Sequence, residues 1–158
     1  MTMNKKVKTL LIILVVFSLG LFSYIQDYKQ KQIDFGVEQD NDLLLYFKEI
    51  FPDNEVIKCG YEDLNGDGIK DLLVIYNVSR RQNEMLIVID TGNGYKMSES
   101  TPAPLDNQEI EFKDIDKTPP MEVIVSGSKD GNFGYAIFRL IDDTVFKDLF
   151  GDGMEDCC

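Results

Sequence analysis

The stretch Tyr61-Glu-Asp-Leu-Asn-Gly-Asp-Gly-Ile-Lys-Asp-Leu-Leu-Val74 decides the fold, because it sets an acidic, glycine-containing loop directly before an apolar run. Glycine adopts the backbone conformations that sharp turns require. A short apolar run that follows turn residues indicates a buried strand. The stretch therefore predicts a loop-to-strand junction inside a β-rich domain.

A second copy of this pattern lies 51 residues further along the chain. Phe112-Lys-Asp-Ile-Asp-Lys-Thr-Pro-Pro-Met-Glu-Val-Ile-Val125 again runs from an aromatic residue through polar residues into an apolar strand. Such a period suits a blade-like or hairpin repeat. Two copies cannot close a propeller, which takes about 4–8 blades. We expect a mainly β fold of two propeller-blade-like repeats, arranged as a small twisted sheet or a partial sandwich.

The rest of the domain, residues 40–150, follows the same antiparallel pattern after one short helix. Apolar residues recur at helical spacing over 40–51, and Pro52 ends that pattern. Proline-containing breaks are expected at 101–104 and 118–120. The strand candidates are 72–76, 85–89, 109–113, 122–125, 135–141 and 144–150.

The N-terminal residues predict a membrane anchor. Residues 9–25 form an uncharged apolar run behind three lysines, long enough to span a bilayer as a helix. We expect a cytoplasmic segment 1–8, a span 9–25, a linker 26–39 and an extracytoplasmic domain on a single-pass cell-membrane protein. The alternative is a signal peptide that is cleaved to release a secreted domain.

Charge and residue types exclude several functions. Beyond residue 25 the net charge is −15, which opposes binding to phosphate backbones, so no nucleic-acid partner is expected. The chain has no histidine, which removes Ser-His-Asp and Cys-His catalysis and histidine-based zinc sites. These residue types favour a non-enzymatic protein.

The loop 63–71 has the spacing of a calcium site. Asp63, Asn65 and Asp67 supply side-chain oxygens at positions one, three and five, Ile69 supplies its backbone carbonyl, and Asp71 is the acid at position nine. An EF-hand needs Glu at position twelve, where this chain has a strand residue. Residues 61–90 therefore resemble the FG-GAP and VCBS-type calcium-loop repeats of exported proteins, which implies Ca²⁺ as a cofactor. The alternative is a turn that binds nothing.

The second copy keeps some oxygens but loses the flexible glycine to Pro119. We expect this copy to be structural. Its remaining oxygen-bearing side chains are Asp114, Asp116, Thr118 and Glu122.

The sequence closes on Cys157-Cys158 within a predicted flexible tail, 151–158. Two adjacent thiolates can chelate one soft metal ion, and the same pair can exchange with a disulfide. The third cysteine, Cys59, is either a disulfide partner for this pair or a small buried residue.

This layout of a basic start, an apolar run and a Cys157-Cys158 end resembles the Cys-Cys-COOH (seleno)protein family called SaoC. The resemblance implies capture of a soft metal or organometal of the mercury type, as cargo, with a metal transporter or a thioredoxin-like protein as partner. A thiol–disulfide partner of a thioredoxin-like protein and a calcium-stabilised surface binding module remain alternatives.

Overall fold

The computed structural model describes residues 14–20 and 35–150. The chain divides into two units, 1–34 and Phe35–Cys158, and residues 14–20 of the first unit are helical (α1). Within the described residues, no helix is both long enough and apolar enough to cross a membrane. Most of the predicted span 9–25, most of the linker 26–39 and the whole tail 151–158 lie outside these residues, so they stay predictions.

The second unit contains one helix and nine strands between Phe35 and Phe150. The helix is α2 (Asp42–Ile50). The strands are β1 (Val56–Glu62), β2 (Asp71–Ser79), β3 (Gln82–Asp90), β4 (Tyr95–Met97), β5 (Thr101–Ala103), β6 (Asp106–Lys113), β7 (Glu122–Lys129), β8 (Asn132–Ile141) and β9 (Val145–Asp148).

The strands form two antiparallel sheets. The first sheet has the order β1-β2-β3-β4, with β5 also paired to β3. The second sheet has the order β6-β7-β8-β9. Each strand in both orders pairs with its neighbour in sequence, and the connections range from a two-residue turn to loops of eight residues. The expected mainly β, antiparallel class is confirmed.

Helix α2 covers one face of the first sheet. It begins at Asn41, whose side chain accepts hydrogen bonds from the N–H groups of Leu43 and Leu44. Its apolar residues then pack into a helix-side core, which consists of Phe35, Leu43, Leu44, Phe47, Val56, Cys59, Leu72, Val74, Tyr76, Leu86 and Val88.

The second sheet covers the other face. Residues from both sheets form a sheet-side core, which consists of Leu64, Leu73, Ile75, Met85, Ile87, Ile89, Val123, Val125, Phe138, Leu140 and Phe146. Successive side chains of a strand point to opposite faces. Residues 71–76 of β2 are all buried, since this strand lies between the helix on one side and the second sheet on the other.

One expectation about the strands is wrong. The predicted break at 101–104 contains a strand, since β5 pairs with β3 through Thr101↔Met85 and Ala103↔Asn83. Pro102 has no N–H to donate, and proline is accommodated on edge strands for that reason. The break at 118–120 does separate β6 from β7.

Candidate cation-binding loops

The first loop, residues 63–70, connects β1 to β2 and turns on its own side chains. Asp63 accepts hydrogen bonds from the N–H of Gly66 at 2.8 Å and from that of Gly68 at 2.9 Å. Both glycines have positive φ angles, 82° and 88°, in the left-handed region where other residues are strained. The glycine spacing seen in the sequence therefore shapes the loop around Asp63.

The next two oxygen-bearing residues continue this turn. Asn65 Oδ1 accepts from the N–H of Asp67 at 3.0 Å, and Asp67 Oδ1 accepts from the N–H of Ile69 at 2.8 Å. Asn65 Nδ2 also donates to Asp67 Oδ2 at 3.2 Å. Asp63, Asn65 and Asp67 thus belong to one turn, and their oxygens already accept hydrogen bonds from N–H donors.

Asp71 closes the first loop from a fully buried position at the start of β2. Its carboxylate accepts from the N–H of Leu64 at 2.9 Å and from the N–H of Asp90 at 3.1 Å. Burial raises the pKa of Asp71 to about 6, and the negative charges of Asp67 and Asp63 add to the rise while the two N–H groups oppose it. In the described part of the chain, no Lys or Arg forms an ion pair with this carboxylate.

The second loop, residues 114–121, connects β6 to β7 and ends at Glu122, 51 residues after Asp71. Glu122 is buried, with 1% of its surface exposed. Its Oε2 accepts from the N–H of Ile115 at 2.8 Å. Asp71 forms the equivalent bond with the N–H of Leu64, and both residues of that pair lie 51 positions earlier. A buried carboxylate therefore holds the loop backbone in both copies.

The two loops differ in how the buried carboxylate is neutralised. The guanidinium of Arg139, on β8, forms an ion pair with Glu122 and donates to Asp116 Oδ2 at 2.7 Å. Desolvation alone would raise the pKa of Asp116, but the hydrogen bond and charge of Arg139 outweigh it and hold that pKa below its ordinary value. The position 51 residues before Arg139 is Val88, a buried apolar residue.

Sequence reasoning missed Arg139, although the internal repeat carries a signal for it. When the two copies are aligned at the offset of 51, Arg139 in the strand after the second loop corresponds to Val88 in the strand after the first. One copy therefore has a cation where the other has an aliphatic side chain. An arginine inside an otherwise apolar strand indicates an anionic partner nearby.

The acidic oxygens gather more tightly in the second loop than in the first. Over residues 14–20 and 35–150, one group of three acidic side chains has ligand oxygens within 4.8 Å of one another, namely Asp114, Asp116 and Glu122. Arg139 already contacts two of them. The first loop contains no such group of three within the described residues.

Cys59 lies in β1 and is a free, buried thiol with 3% of its surface exposed. Burial raises its pKa to about 12, and the nearby Lys48 opposes this rise. A thiol in this state is neither a ready nucleophile nor an accessible disulfide partner. The other predicted thiol site, Cys157-Cys158, lies outside the described residues.

Comparisons with known protein families, with curated proteins and with solved structures find no match to this chain.

Proposed function

We propose that this chain captures a soft metal or organometal of the mercury type through Cys157 and Cys158 and passes it to a partner protein. The burial of Cys59 supports the proposal, because a buried thiol is a poor disulfide partner for the adjacent pair. Thiolates are the ligands that soft metals prefer. Each thiol loses its proton as the metal binds.

The acidic domain suits a carrier better than a catalyst. Glu155 and Asp156 lie beside the thiol pair in sequence, and negative charges disfavour the thiolate that a fast nucleophile needs. A soft metal displaces thiol protons when it binds, so it is less affected by these charges. An anchor at 9–25 would hold the pair at the outer membrane face, where a transporter or a thioredoxin-like protein could receive the cargo.

Mercury titration tests this function. We expect Cys157→Ser/Cys158→Ser to lower the affinity of residues 26–158 for Hg²⁺ by several orders of magnitude, because a chelating dithiol is lost. Cys59→Ala is the matched control and keeps the wild-type affinity. Isothermal calorimetry in competition with a small dithiol gives both values. Unchanged affinity in the double variant contradicts the proposal, and reversible formation of a Cys157–Cys158 disulfide without mercury binding favours the redox alternative.

A second function, calcium-stabilised surface binding, is favoured by the contrast between the two loops. We propose that the loops belong to two blade-like repeats, and that the first loop takes Ca²⁺ where the second uses Arg139. Asp71 is a buried carboxylate with which no Lys or Arg of the described residues forms an ion pair. Ca²⁺ bound by Asp63, Asn65, Asp67, the Ile69 carbonyl and Asp71 would neutralise it.

The effect of Ca²⁺ on the free energy of unfolding distinguishes the first loop from the second. We expect saturating Ca²⁺ to raise the free energy of unfolding, by about 2.7 kcal/mol at a concentration 100 times Kd. Asp63→Asn removes this increase because it removes the carboxylate at position one. Asp114→Asn, the equivalent change 51 residues later, retains it. Urea unfolding with Ca²⁺ and with chelator measures both, and an equal calcium response in wild type and Asp63→Asn would rule out this site.

A further inference from the structure

An open groove of about 920 Å³ lies on the second unit, and neither Asp71 nor Glu122 is among the residues that line it. It is bordered by the start of α2 and by residues of β1, β4 and β6. We call it the acidic groove, and it is defined by Tyr61, Tyr95 and Phe112 together with Glu38, Asp40, Asp42 and Asp90. Its volume falls within the range of small-molecule sites.

The charges around the groove are strongly unbalanced. Four carboxylates line it, and none of them forms an ion pair with another described residue. The single lining lysine, Lys58, already binds Glu109 Oε2 at 2.7 Å and the Gln108 carbonyl at 2.8 Å. A cleft lined by one sign of charge concentrates ions of the opposite sign. The groove therefore attracts cations.

Aromatic rings supply its apolar surface. Tyr95 packs against Tyr46 with ring centroids 5.2 Å apart. Phe112 lies over Gly60, where an added Cβ would come within 2.5 Å of its ring. Tyr61 stays 38% exposed. These contacts fix the rings before any ligand arrives.

Carboxylates and rings lie close together. Burial raises the pKa of Tyr95, and the charges of Asp42 and Asp90 raise it further. Asp90, at the end of β3, is the strand partner of Tyr95, and Asp42 from α2 lines the same groove.

Rings bordering this region already hold ammonium groups of the chain itself. Lys70 Nζ lies 5.6 Å from the centre of the Tyr61 ring, and Lys48 Nζ lies 5.3 Å from that of Phe35. A cation within about 6 Å of a ring face is attracted by the ring quadrupole.

We propose that the acidic groove binds a small organic cation of the alkylammonium class. Its ammonium group lies between Asp42 and Asp90, and its alkyl chain lies against Tyr95 and Phe112. Carboxylates beside fixed rings match both halves of such a ligand, whereas a bare metal ion would leave the rings unused. The residues invoked for this site all lie within 35–150, and the proposed binding does not need calcium.

Binding of n-butylammonium to the full chain tests the proposal. The chain has seven tyrosines, so residue-assigned aromatic NMR signals are needed to follow Tyr61 and Tyr95 separately from the others. We expect n-butylammonium to shift these signals with saturation. Neither n-butanol nor n-butyrate should do so at the same concentrations, because the first lacks the charge and the second reverses it.

Variants assign the binding to the groove. Asp42→Asn/Asp90→Asn should weaken binding about tenfold or more, because two carboxylates beside the cation lose their charge. The amide introduced by Asp90→Asn retains an oxygen that can accept from the Gly92 N–H, as Asp90 Oδ1 does at 2.8 Å, so the turn is preserved. Tyr95→Leu should also weaken binding. Asp53→Asn and Tyr135→Leu, exposed positions outside the groove, are the matched controls.

Three outcomes would overturn the proposal. They are the absence of saturable n-butylammonium binding, equal binding of n-butanol, and unchanged affinity in Asp42→Asn/Asp90→Asn. Circular dichroism and urea unfolding of each variant show whether it is folded. If the double variant unfolds, Asp42→Asn alone, at the exposed first turn of α2, gives the same comparison.

Discussion

At the scale of single residues, Asp71 and Glu122 have the same structural role but different neighbours. Each is a buried acid that opens a strand and accepts an N–H from the preceding loop. Glu122 is paired with Arg139, whereas Asp71 has a raised pKa. Equivalent backbone roles therefore leave Glu122 paired with an arginine, whereas Asp71 accepts two N–H groups and keeps a raised pKa.

Loss of the arginine should destabilise the second loop. We expect Arg139→Met to lower the free energy of unfolding by about 3–5 kcal/mol, because it leaves Glu122 as a buried, unpaired charge. Arg81→Met, which breaks an exposed pair with Asp130, should change it by at most about 1 kcal/mol. Urea denaturation measures both. Similar small losses in the two variants would show that the Glu122–Arg139 pair contributes little.

The pH dependence of the metal-free protein should reveal Asp71. Its pKa is about 6 in the fold against about 3.9 in an unfolded chain, so the folded state binds the proton more tightly. This contribution to stability is complete below pH about 3.9 and is lost as pH rises through about 6. The loss reaches about 3 kcal/mol.

The comparison with Asp71→Asn, unfolded by urea in chelator from pH 4 to pH 7, isolates this effect. Wild type should lose stability relative to the variant as pH rises. A constant difference between the two proteins, or a difference of the opposite sign, would show that Asp71 titrates normally.

At the scale of elements, the local residue pattern predicted the structure that forms between residues close together in sequence. Helix α2 and most of the long strands follow from apolar spacing and turn residues, whereas β1 was not among the strand candidates. Strand β5 was not predictable in this way, since its partner β3 lies some 18 residues earlier and Pro102 indicates a break. Arg139 was missed for a related reason. Its contact with Glu122 depends on how β8 pairs with β7, which local pattern does not specify.

The packing of the buried face of α2 should contribute to the free energy of unfolding. Leu44→Ala should lower the free energy of unfolding by about 2–5 kcal/mol, because Leu44 is fully buried in the helix-side core. Leu45→Ala, the next residue, should cost far less because 48% of that side chain is exposed. Thermal or urea unfolding measures the difference. Equal losses at the two positions would contradict the packing of α2 on the first sheet.

At the scale of the whole described domain, the candidate site was predicted in part. The spacing of Asp63, Asn65 and Asp67 correctly indicated one shared turn, because glycines and side-chain hydrogen bonds within that turn act locally. The burial of Asp71 depends on Asp90, from the far end of β3, and on the cores around β2. The acidic groove joins α2 to two sheets, so it arises from tertiary packing alone.

The burial of β2 on both faces has a consequence for how its pairing is selected. Strands that are apolar on one face are aligned by that alternation, since a slip of one residue would expose the apolar side. Leu72, Leu73, Val74 and Ile75 are apolar in succession, so a slip would exchange one buried aliphatic side chain for another. Directional side-chain bonds toward the two ends of the strand add to its alignment, and those of Tyr76 and Asn77 join it to β3. Asp71, which joins Leu64 and Asp90 from the first position of β2, provides such bonds, so this acid also helps to define which residue faces which core.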